Sequence, residues 1–532
     1  MTLLLFAGSQ EVSMLGRVDA QGSLLSTALV HDERLTKNSF YERLALHGHE
    51  IVTDEDFAHL YSRKSGRPSH PPSLMAKALL LATHDKTSDR ESARRSRVDL
   101  DWRAALGVDD DFAGIGATTF SLFRARIVLE EDDQHLFEST LRRAVEAGVL
   151  RGKLTAIIDS SPVHGAGAVA DTYELVRGFL GKVVVACGER LSQHARDAAS
   201  PHIGEKPDID WQDKATRQAY LGELVSATRA VLGEASAIDD ADLAEVVALL
   251  SQVIDQDIED GEDGVVKIKE GVAPDRVISV ADPEMRHGRK SASRRFNGHK
   301  LDVMSDEATE LVLGVAVRAG NASDAAGTLP LLEQVQRLEG ANVAVLLGDM
   351  AYSDPDLREA TEKAGTDLVA KVPPVSNAGR FPKTDFSIDT AEGTVTCPAG
   401  VVTTDSRPER DARGRPGRRF SFADATCATC PLRASCVKGE TKGRTIFVSR
   451  HEDRVAKARV AQREPETKAL LRRRSKVERK IAHLQHLGMR TARYSGRRKT
   501  TLQALLAATV ANFSRLAVLG VFDTTTAIAR VA

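Results

Sequence analysis

The chain has 532 residues, of which 42% are hydrophobic and 28% charged, and its formal net charge is −2. This length exceeds one ordinary hydrophobic core, so two to four domains are expected, and the composition excludes a disordered or fibrous protein. The near-neutral balance alone argues against a polyanionic partner. The first residues, MTLLLFAGSQEVS, lack the basic segment and the cleavage site of a signal peptide.

The distribution of charge is uneven along the chain. Residues 234–263 contain about eleven acidic residues and no Lys or Arg, whereas residues 437–532 contain about 22 basic and about seven acidic residues. A basic region of this density suits a phosphate backbone. A solvated helical face explains it equally well from charge alone.

Residues 1–150 are predicted to be helical and polar. PPSLMAKALLLATHDK begins with proline, the next stretch has Thr87 or Ser88 as a helix cap, and a further helix starts near Thr118. Short helices with basic faces fit a helix-turn-helix-like module, and they fit an ordinary helical bundle at least as well.

The apolar run LTAII at 154–158 predicts a buried strand that ends at Asp159. Residues 172–265 are predicted to form a helical, acidic insertion. NGHKLDVMSD and ELVLGVAVRAG then predict a hairpin, and DAAGTLPLLEQVQRLEG predicts a helix. VAVLLGD predicts a second buried strand ending at Asp349, followed by a helix over SDPDLREATEKAG and a last strand over TDLVAKVPP.

Without the insertion, the predicted order is β-ββ-α-β-α-β, which is the order of a ribonuclease-H-like mixed sheet. This predicts an α/β fold with a site near the carboxyl ends of the strands, where Asp159 and Asp349 converge if their strands are neighbours. Either aspartate alone is more often a helix cap or a turn residue. EPETKALLRRRSKVERKIAHLQHLG predicts one long helix from Glu466 that carries Glu478, and a buried helix follows from Leu502.

Two aspartates at strand ends and one helical glutamate suit two Mg²⁺ ions, because Mg²⁺ binds few protein carboxylates together with phosphate oxygens. Two such ions activate an attacking oxygen and stabilise a leaving oxygen in a phosphoryl displacement. Without metal, the clustered carboxylates would repel one another.

The chain resembles a DDE transposase of a bacterial insertion sequence, in the IS4-like group and closest to the IS1182 family. The resemblance covers GRPSHPPSLMAKALLLATHDK in the N-terminal region, IIDSSPV, RRFNGHKLDVMSDEATELVLGVAVRAGNASDA, LLGDMAYSDPDLRE, and RRRSKVERKIAHLQHLGMRTARYSGRRKTTLQALLAATVANFSRL, in that order. It implies that Asp159, Asp349 and Glu478 are the catalytic residues and bind Mg²⁺ or Mn²⁺.

The IS4-like group often has Tyr-x₂-Arg-x₃-Glu-x₆-Lys around the glutamate. Arg474 and Glu478 fit this pattern, but Leu471 stands at the tyrosine position and Gln485 at the lysine position. Glu466 is a competing third carboxylate, although its place near a helix start favours a capping role. The predicted DNA contacts are basic residues around and after the glutamate: Arg474, Lys476, Arg493, Arg497, Arg498 and Lys499.

Four of the five cysteines, Cys397, Cys427, Cys430 and Cys436, have the spacing C-x₂₉-C-x₂-C-x₅-C. This spacing suits a structural Zn²⁺ site, and free thiols or an iron–sulfur cluster remain alternatives. Cys187 stands alone and is expected to be a small core residue.

The predicted function is Mg²⁺-dependent cleavage at the ends of an insertion sequence and strand transfer into target DNA. A ribonuclease-H-like nuclease that only cleaves, and a domesticated DNA-binding protein, are the alternatives. The expected partners are terminal inverted repeats, target DNA and a second copy of the chain, in the bacterial cytoplasm without a membrane. The expected domains are a helical DNA-binding-type domain (1–150), a catalytic core (151–375 and 451–520, with the insertion at 172–265), a cysteine-containing insertion (376–450) and a tail (521–532).

Overall fold

The computed structural model describes residues 15–18, 23, 25–61, 69–130, 134–262, 264–291, 293–439 and 442–522. The N-terminal stretch MTLLLFAGSQEVS and all but two residues of the predicted tail lie outside the described residues.

The N-terminal region is helical, as predicted. Its helices are α1 (Thr27–Val30), α2 (Phe40–His47), α3 (Pro72–His84), α4 (Asp89–Val98), α5 (Leu100–Leu106), α6 (Ala117–Leu129) and α7 (His135–Glu146). Ser88 caps α4 by accepting a hydrogen bond from the Glu91 N–H.

The first strand, β1 (Gly152–His164), leads into the helical insertion. The insertion consists of α8 (Thr172–Cys187), α9 (Gln193–Ala199), α10 (Lys214–Ala235) and α11 (Ala241–Asp257), followed by a short hairpin of β2 (Ile258–Asp260) and β3 (Val266–Ile268). These helices bury an apolar cluster of their own, which includes Phe179, Leu224 and Leu250. Cys187 is buried in this cluster, as predicted.

A six-stranded mixed sheet forms the centre of the molecule. Its further elements are β4 (Arg286–Arg289), β5 (Arg295–Asp306), β6 (Val312–Ala319), α12 (Thr328–Gln336), β7 (Ala341–Gly348), α13 (Pro355–Lys363) and β8 (Asp367–Ala370). The main strand order is β6-β5-β1-β7-β8, and β4 also pairs with β5. β1 is antiparallel to β5 and parallel to β7, and β7 is parallel to β8. The protein is therefore α/β, and its helices and strands from 295 to 370 follow the predicted order.

The region between 387 and 449 contains two small three-stranded sheets. They are formed by β9 (Ser387–Asp389), β10 (Thr394–Thr396) and β11 (Val402–Thr403), and by β12 (Ser406–Arg410), β13 (Pro416–Ser421) and β14 (Thr445–Ser449), with α14 (Asp424–Ala428) between the last two strands. Phe386, Val395, Phe420 and Ile446 are buried in a small core between these elements.

The last helices are α15 (Glu452–Ala461), α16 (Pro465–Arg473), α17 (Ser475–Leu484) and α18 (Arg497–Val518). The prediction of one long helix from Glu466 was wrong, because the α-helix is interrupted at Arg474 and then passes through a π-turn at Gln485–Met489. Gly488 has φ +103° there, a conformation that glycine adopts at no steric cost. The turn releases the chain from the helix before α18.

Helix α18 packs against α3, α7 and β6. It is long and apolar enough to cross a membrane by length and composition, but 72% of its most apolar window is buried inside the protein. The prediction of a buried helix is confirmed. Its apolar side joins the sheet and the N-terminal helices in one continuous core.

Candidate active site

Asp159 lies beside a gap in the central sheet, here called the notch, where β7 no longer pairs with β1 but β5 still does. Parallel pairing between β1 and β7 ends at Ile157 opposite Leu347, whereas antiparallel pairing with β5 continues to His164. Asp159 was expected at the end of its strand, but it lies in the interior of β1 because β5 extends the strand by five further residues. The Asp159 side chain is 19% exposed and borders the notch, and pairing with β5 holds the backbone around it in place.

Asp349 follows β7 directly and lies level with Asp159. Each residue is two positions beyond the last paired couple, Ile157 and Leu347, and neighbouring strands are about 4.8 Å apart. Asp349 caps the short helical turn at Met350–Tyr352, where its Oδ1 accepts a hydrogen bond from the Ala351 N–H at 2.7 Å. The two predicted aspartates therefore lie on neighbouring strands at one edge of the parallel part of the sheet.

Glu478 approaches this edge from α17. The helix is anchored by Val477, Ile481 and Leu484, which are buried in the central core, and it packs against β1 and β5. Glu478 lies beside this buried face, about a quarter turn away from it, with its side chain 60% exposed. The alternation of apolar and charged positions along α17 therefore fixes the direction of the glutamate.

Arg474 joins two of the three carboxylates. Its guanidinium donates to Asp159 Oδ2 at 3.2 Å and to Glu478 Oε1 at 3.1 Å. Since Arg474 and Glu478 are four residues apart, they lie on the same face of the helical segment. One cation is therefore shared by a strand residue and a helix residue.

The electrostatics connect all three carboxylates. Burial raises the pKa of Asp159, and the negative charges of Asp349 and Glu478 raise it further, whereas the Ser160 N–H and Arg474 lower it. Carboxylates influence one another in this way only when they are close. The structure thus brings together Asp159, Asp349 and Glu478, and it leaves Glu466 exposed in the first turn of α16.

A buried polar network lies beside the aspartates and was not predicted. Asp302 is fully buried and paired with Arg318, and burial raises its pKa to about 6. Asp324 accepts hydrogen bonds from Ser160 Oγ at 2.7 Å and from Lys300 Nζ at 2.9 Å. The i, i+2 spacing of Lys300 and Asp302 in an apolar strand was the sequence signal for this network.

A separate group of possible metal ligands lies outside the triad. Among the described residues, only Asp356, Glu359 and His451 bring three potential ligand atoms within 4.8 Å of one another. His451 Nε2 and Arg450 Nη2 both lie within 2.8 Å of Asp356 Oδ1. These ion pairs connect α13 with the segment before α15. Asp159, Asp349 and Glu478 do not bring their carboxylate oxygens within 4.8 Å of one another.

Four cysteines surround one small cavity of about 30 Å³: Cys397, Cys427, Cys430 and Cys436. Burial raises the pKa of the Cys436 thiol; Arg444 lowers it, and the other three cysteines raise it. No three of their sulfur atoms lie within 4.8 Å of one another in the described part of the chain.

Most of the predicted DNA contacts are engaged within the protein. Lys476 Nζ donates to Glu307 Oε1 at 2.5 Å, Arg497 Nε donates to Glu284 Oε1 at 2.7 Å, and Arg493 Nη2 donates to the Thr87 carbonyl at 2.6 Å. Arg498 and Lys499 are exposed at the start of α18. Charge density in the sequence did not indicate which cations are engaged within the protein.

Two family models match the chain. The model described as Transposase DDE domain matches residues 396–517, and the one described as Transposase domain (DUF772) matches residues 29–126. The first match contains Glu478 and the four clustered cysteines, whereas Asp159 and Asp349 lie between the two matches. No curated protein and no solved structure matches the chain. With two transposase domains in one chain, the protein belongs to the DDE transposases of insertion sequences and is an enzyme that acts on DNA.

Proposed function

We propose that this transposase cleaves DNA at the ends of its insertion sequence and joins the freed 3′-hydroxyl to target DNA, with Asp159, Asp349 and Glu478 as catalytic residues. The observation that carries the proposal is the placement of three carboxylates from β1, β7 and α17 around one sheet edge, where Asp159 and Asp349 lie level on neighbouring strands and Arg474 bonds both Asp159 and Glu478. Both reactions are phosphoryl transfers, so one site serves both.

The DDE domain implies a divalent metal ion, and the residues present fit one. All three side chains offer hard carboxylate oxygens, which suit Mg²⁺ or Mn²⁺. Within the described residues, Asp349 uses only Oδ1 in a hydrogen bond, and Arg474 already balances the charge of the other two carboxylates. Two bound ions would supply activation of the attacking oxygen and stabilisation of the leaving oxygen.

The protein's own residues hold this donor set in place. The notch in the sheet fixes Asp159, the helical turn after β7 fixes Asp349, and the buried side of α17 fixes Glu478. When metal ions bind Asp159 and Glu478, Arg474 would lose its ion pairs with these two carboxylates and would be free to contact a phosphate oxygen of the DNA. Ser160 and Ser161 are not needed as nucleophiles, because water and the DNA 3′-hydroxyl supply the attacking oxygens. The Ser160 hydroxyl donates to Asp324, and the Ser161 hydroxyl accepts from Gln485 Nε2 at 2.8 Å.

We further propose that the mixed sheet is a ribonuclease-H-like core in a transposase of the IS4-like group, closest to the IS1182 family. Support comes from the strand order β6-β5-β1-β7-β8, in which β5 alone is antiparallel to both neighbours. The core then spans 151–375 and 451–520, with a DNA-binding-type domain at 1–150, insertions at 172–265 and 376–450, and a tail at 521–532. The separate apolar cluster of the helical insertion supports that division.

The cysteine cavity is proposed to hold a structural Zn²⁺, because four thiols offer the soft ligands that zinc takes in closed sites. Binding would draw the sulfurs together and stabilise a region whose own core is small. Further DNA contacts are proposed for Arg493, Arg497, Arg498 and Lys499. Two copies of the chain are proposed to join two DNA ends in the bacterial cytoplasm, at the nucleoid.

A strand-transfer assay tests the proposal, with the full-length protein, Mg²⁺ and DNA carrying the terminal repeats that border its gene. Asp159→Asn, Asp349→Asn and Glu478→Gln should each lower cleavage and joining at least 100-fold. The matched controls Glu466→Gln and Asp356→Asn should retain activity. Cleavage without joining would identify a nuclease. DNA binding without Mg²⁺-dependent cleavage in the wild-type protein would identify a domesticated binding protein, and survival of activity in Asp349→Asn would refute the assignment of the site.

A further inference from the structure

Two basic clefts adjoin the elements that carry Asp159, Asp349 and Glu478, one at β1 and α17 and the other at β7 and α16. The first, here called the hairpin cleft, has a volume of about 320 Å³ and lies between the end of β1, the β4–β5 hairpin and the end of α17. The second, called the helix cleft, has a volume of about 840 Å³ and lies between the ends of β7 and β8 and the helices α15 and α16. Neither cleft has an acidic residue in its lining.

The hairpin cleft contains four cations: Lys290, Arg294, Arg295 and Arg490. All four are exposed, and none forms an ion pair with a carboxylate in the part of the chain that the structure describes. Gln485, which directly follows α17 and is seven residues after Glu478, lies in the wall of this cleft. At 1.5 Å per residue, the cleft begins about 10 Å from Glu478.

The walls of the hairpin cleft are held together by backbone contacts. The His164 N–H donates to the Arg490 carbonyl at 2.9 Å, and the Ala492 N–H donates to the His164 carbonyl at 2.7 Å. A Cβ at Gly298 would lie 2.2 Å from the Val163 carbonyl oxygen, so glycine is required where the hairpin crosses β1. Arg490 and the base of the β4–β5 hairpin are therefore fixed against the end of β1.

The helix cleft begins at Met350, the residue after Asp349, and ends against Leu471 on α16. Its cations are Lys371, Arg459, Arg463, Lys468 and Arg472. These five residues also form no ion pair with any carboxylate among the described residues, unlike Lys476 and Arg497 nearby.

We propose that the two clefts form one track for the DNA backbone, in which the same DNA is bound on both sides of the phosphate that reacts at the triad. This inference rests on the proposed function and assigns binding residues to it. The segment from Arg472 to Gln485, which contains the end of α16 and all of α17, spans at most about 20 Å at the helical rise. This length corresponds to on the order of six phosphates along one B-form strand. Nine cations that form no ion pair among the described residues, in two clefts whose linings contain no carboxylate, match a polyanion rather than a small anion.

The first test measures DNA binding without chemistry, in EDTA, as a function of salt. Each phosphate contact that is lost lowers the slope of log K against log[salt] by about 0.9 for duplex DNA. Arg294→Gln/Arg295→Gln and Arg463→Gln/Lys468→Gln should each lower the slope by about 1.8, and the combined variant by about 3.6. The control Arg151→Gln/Lys153→Gln removes the same charge from two exposed residues at the opposite end of β1 and should leave the slope unchanged.

The second test replaces single phosphates of the terminal DNA by neutral methylphosphonates. The wild-type protein should show two blocks of sensitive phosphates separated by a gap. The hairpin-cleft variant should lose sensitivity in one block, and the helix-cleft variant in the other. An unchanged salt slope in either variant, or loss of the same block in both, would overturn the proposal. Because both tests are independent of cleavage, inactive wild-type protein with two blocks would refute the proposed function and leave the track intact.

Discussion

Replacement of Asn512 by leucine should destabilise the central core, because this side chain is the hydrogen-bonding partner of a sheet edge. Asn512 lies in α18 and is 1% exposed. Its Oδ1 accepts from the Val312 N–H at 2.8 Å, and its Nδ2 donates to the Val312 carbonyl at 2.9 Å and to Thr140 Oγ1 at 3.2 Å. The Asn512 amide therefore hydrogen-bonds both the backbone N–H and the backbone carbonyl of Val312 in β6, and it also connects α18 to α7 through Thr140.

The loss of these contacts sets the expected fall in the free energy of unfolding. In Asn512→Leu, the N–H and the carbonyl of Val312 lose their partner while they remain buried. Each buried polar group left without a partner costs about 1–3 kcal/mol, so the free energy of unfolding should fall by about 2–6 kcal/mol. The matched control is Asn342→Leu, the same change at an exposed position of β7, which should alter stability by at most about 0.5 kcal/mol.

Denaturant unfolding followed by tryptophan fluorescence measures this loss. The chain has two tryptophans: Trp102 is buried in the central core, and Trp211 packs against the core of the helical insertion. With Trp211 replaced by phenylalanine, the signal reports the central core alone. Hydrogen exchange in α10 and α11 should be the same in both variants, since these helices pack in a separate core. A loss below about 1 kcal/mol relative to Asn342→Leu would refute the reasoning.

Three further predictions concern charge and metal. Arg474→Ala removes a cation that lowers the pKa of Asp159. On acidification, this variant should therefore lose bound Mn²⁺ at a higher pH than the wild type does, as measured by electron paramagnetic resonance. The control Arg479→Ala, which breaks a pair with Glu310, should leave the pH dependence of Mn²⁺ binding unchanged. Burial raises the pKa of Asp302 from 3.8 to about 6, so this carboxyl binds more protons in the folded protein than in the unfolded chain between these values, and its contribution to stability should fall as pH rises from about 4 to about 6. The difference in urea midpoint between the wild type and Asp302→Asn should therefore shrink over this interval, and a difference that grows would contradict it. Cys427→Ser/Cys430→Ser should abolish Zn²⁺ retained after gel filtration, measured by elemental analysis, whereas Cys187→Ser should not; equal zinc in both would exclude the cavity as the site.

The pattern of apolar and polar residues in the sequence was sufficient to predict the strands and the helix that carry the three candidate carboxylates. Apolar runs before Asp159 and Asp349 predicted two buried strands, and the structure has both as neighbours. The amphipathic pattern around Glu478 predicted its helix, since only one side of that helix carries Val477 and Ile481 into the core. These features depend on local patterns, which a single sequence contains.

The remaining features depend on pairing between distant residues. Asp159 lies inside a strand because β5 extends beyond β7, and no local pattern reports the length of a partner strand. Likewise, Lys476 and Lys290 look equivalent in the sequence, although the first pairs with Glu307 and the second faces a cleft. Nothing in the local sequence explains the interruption at Arg474, whose φ and ψ of −51° and −32° are still helical.

The unequal lengths of three strands explain why the candidate site lies where it does. β7 ends at Gly348, where a Cβ would lie 2.7 Å from that of Tyr352, so the chain turns immediately and leaves Asp349 at the edge. β1 continues past this point because β5 still supplies hydrogen bonds. Asp159 therefore has a strand on one side and open space on the other, and α17 borders that space with Glu478. A β7 longer by two residues would pair across Asp159 and Asp349 and fill the notch, so the early end of one strand leaves open the space that the three carboxylates border.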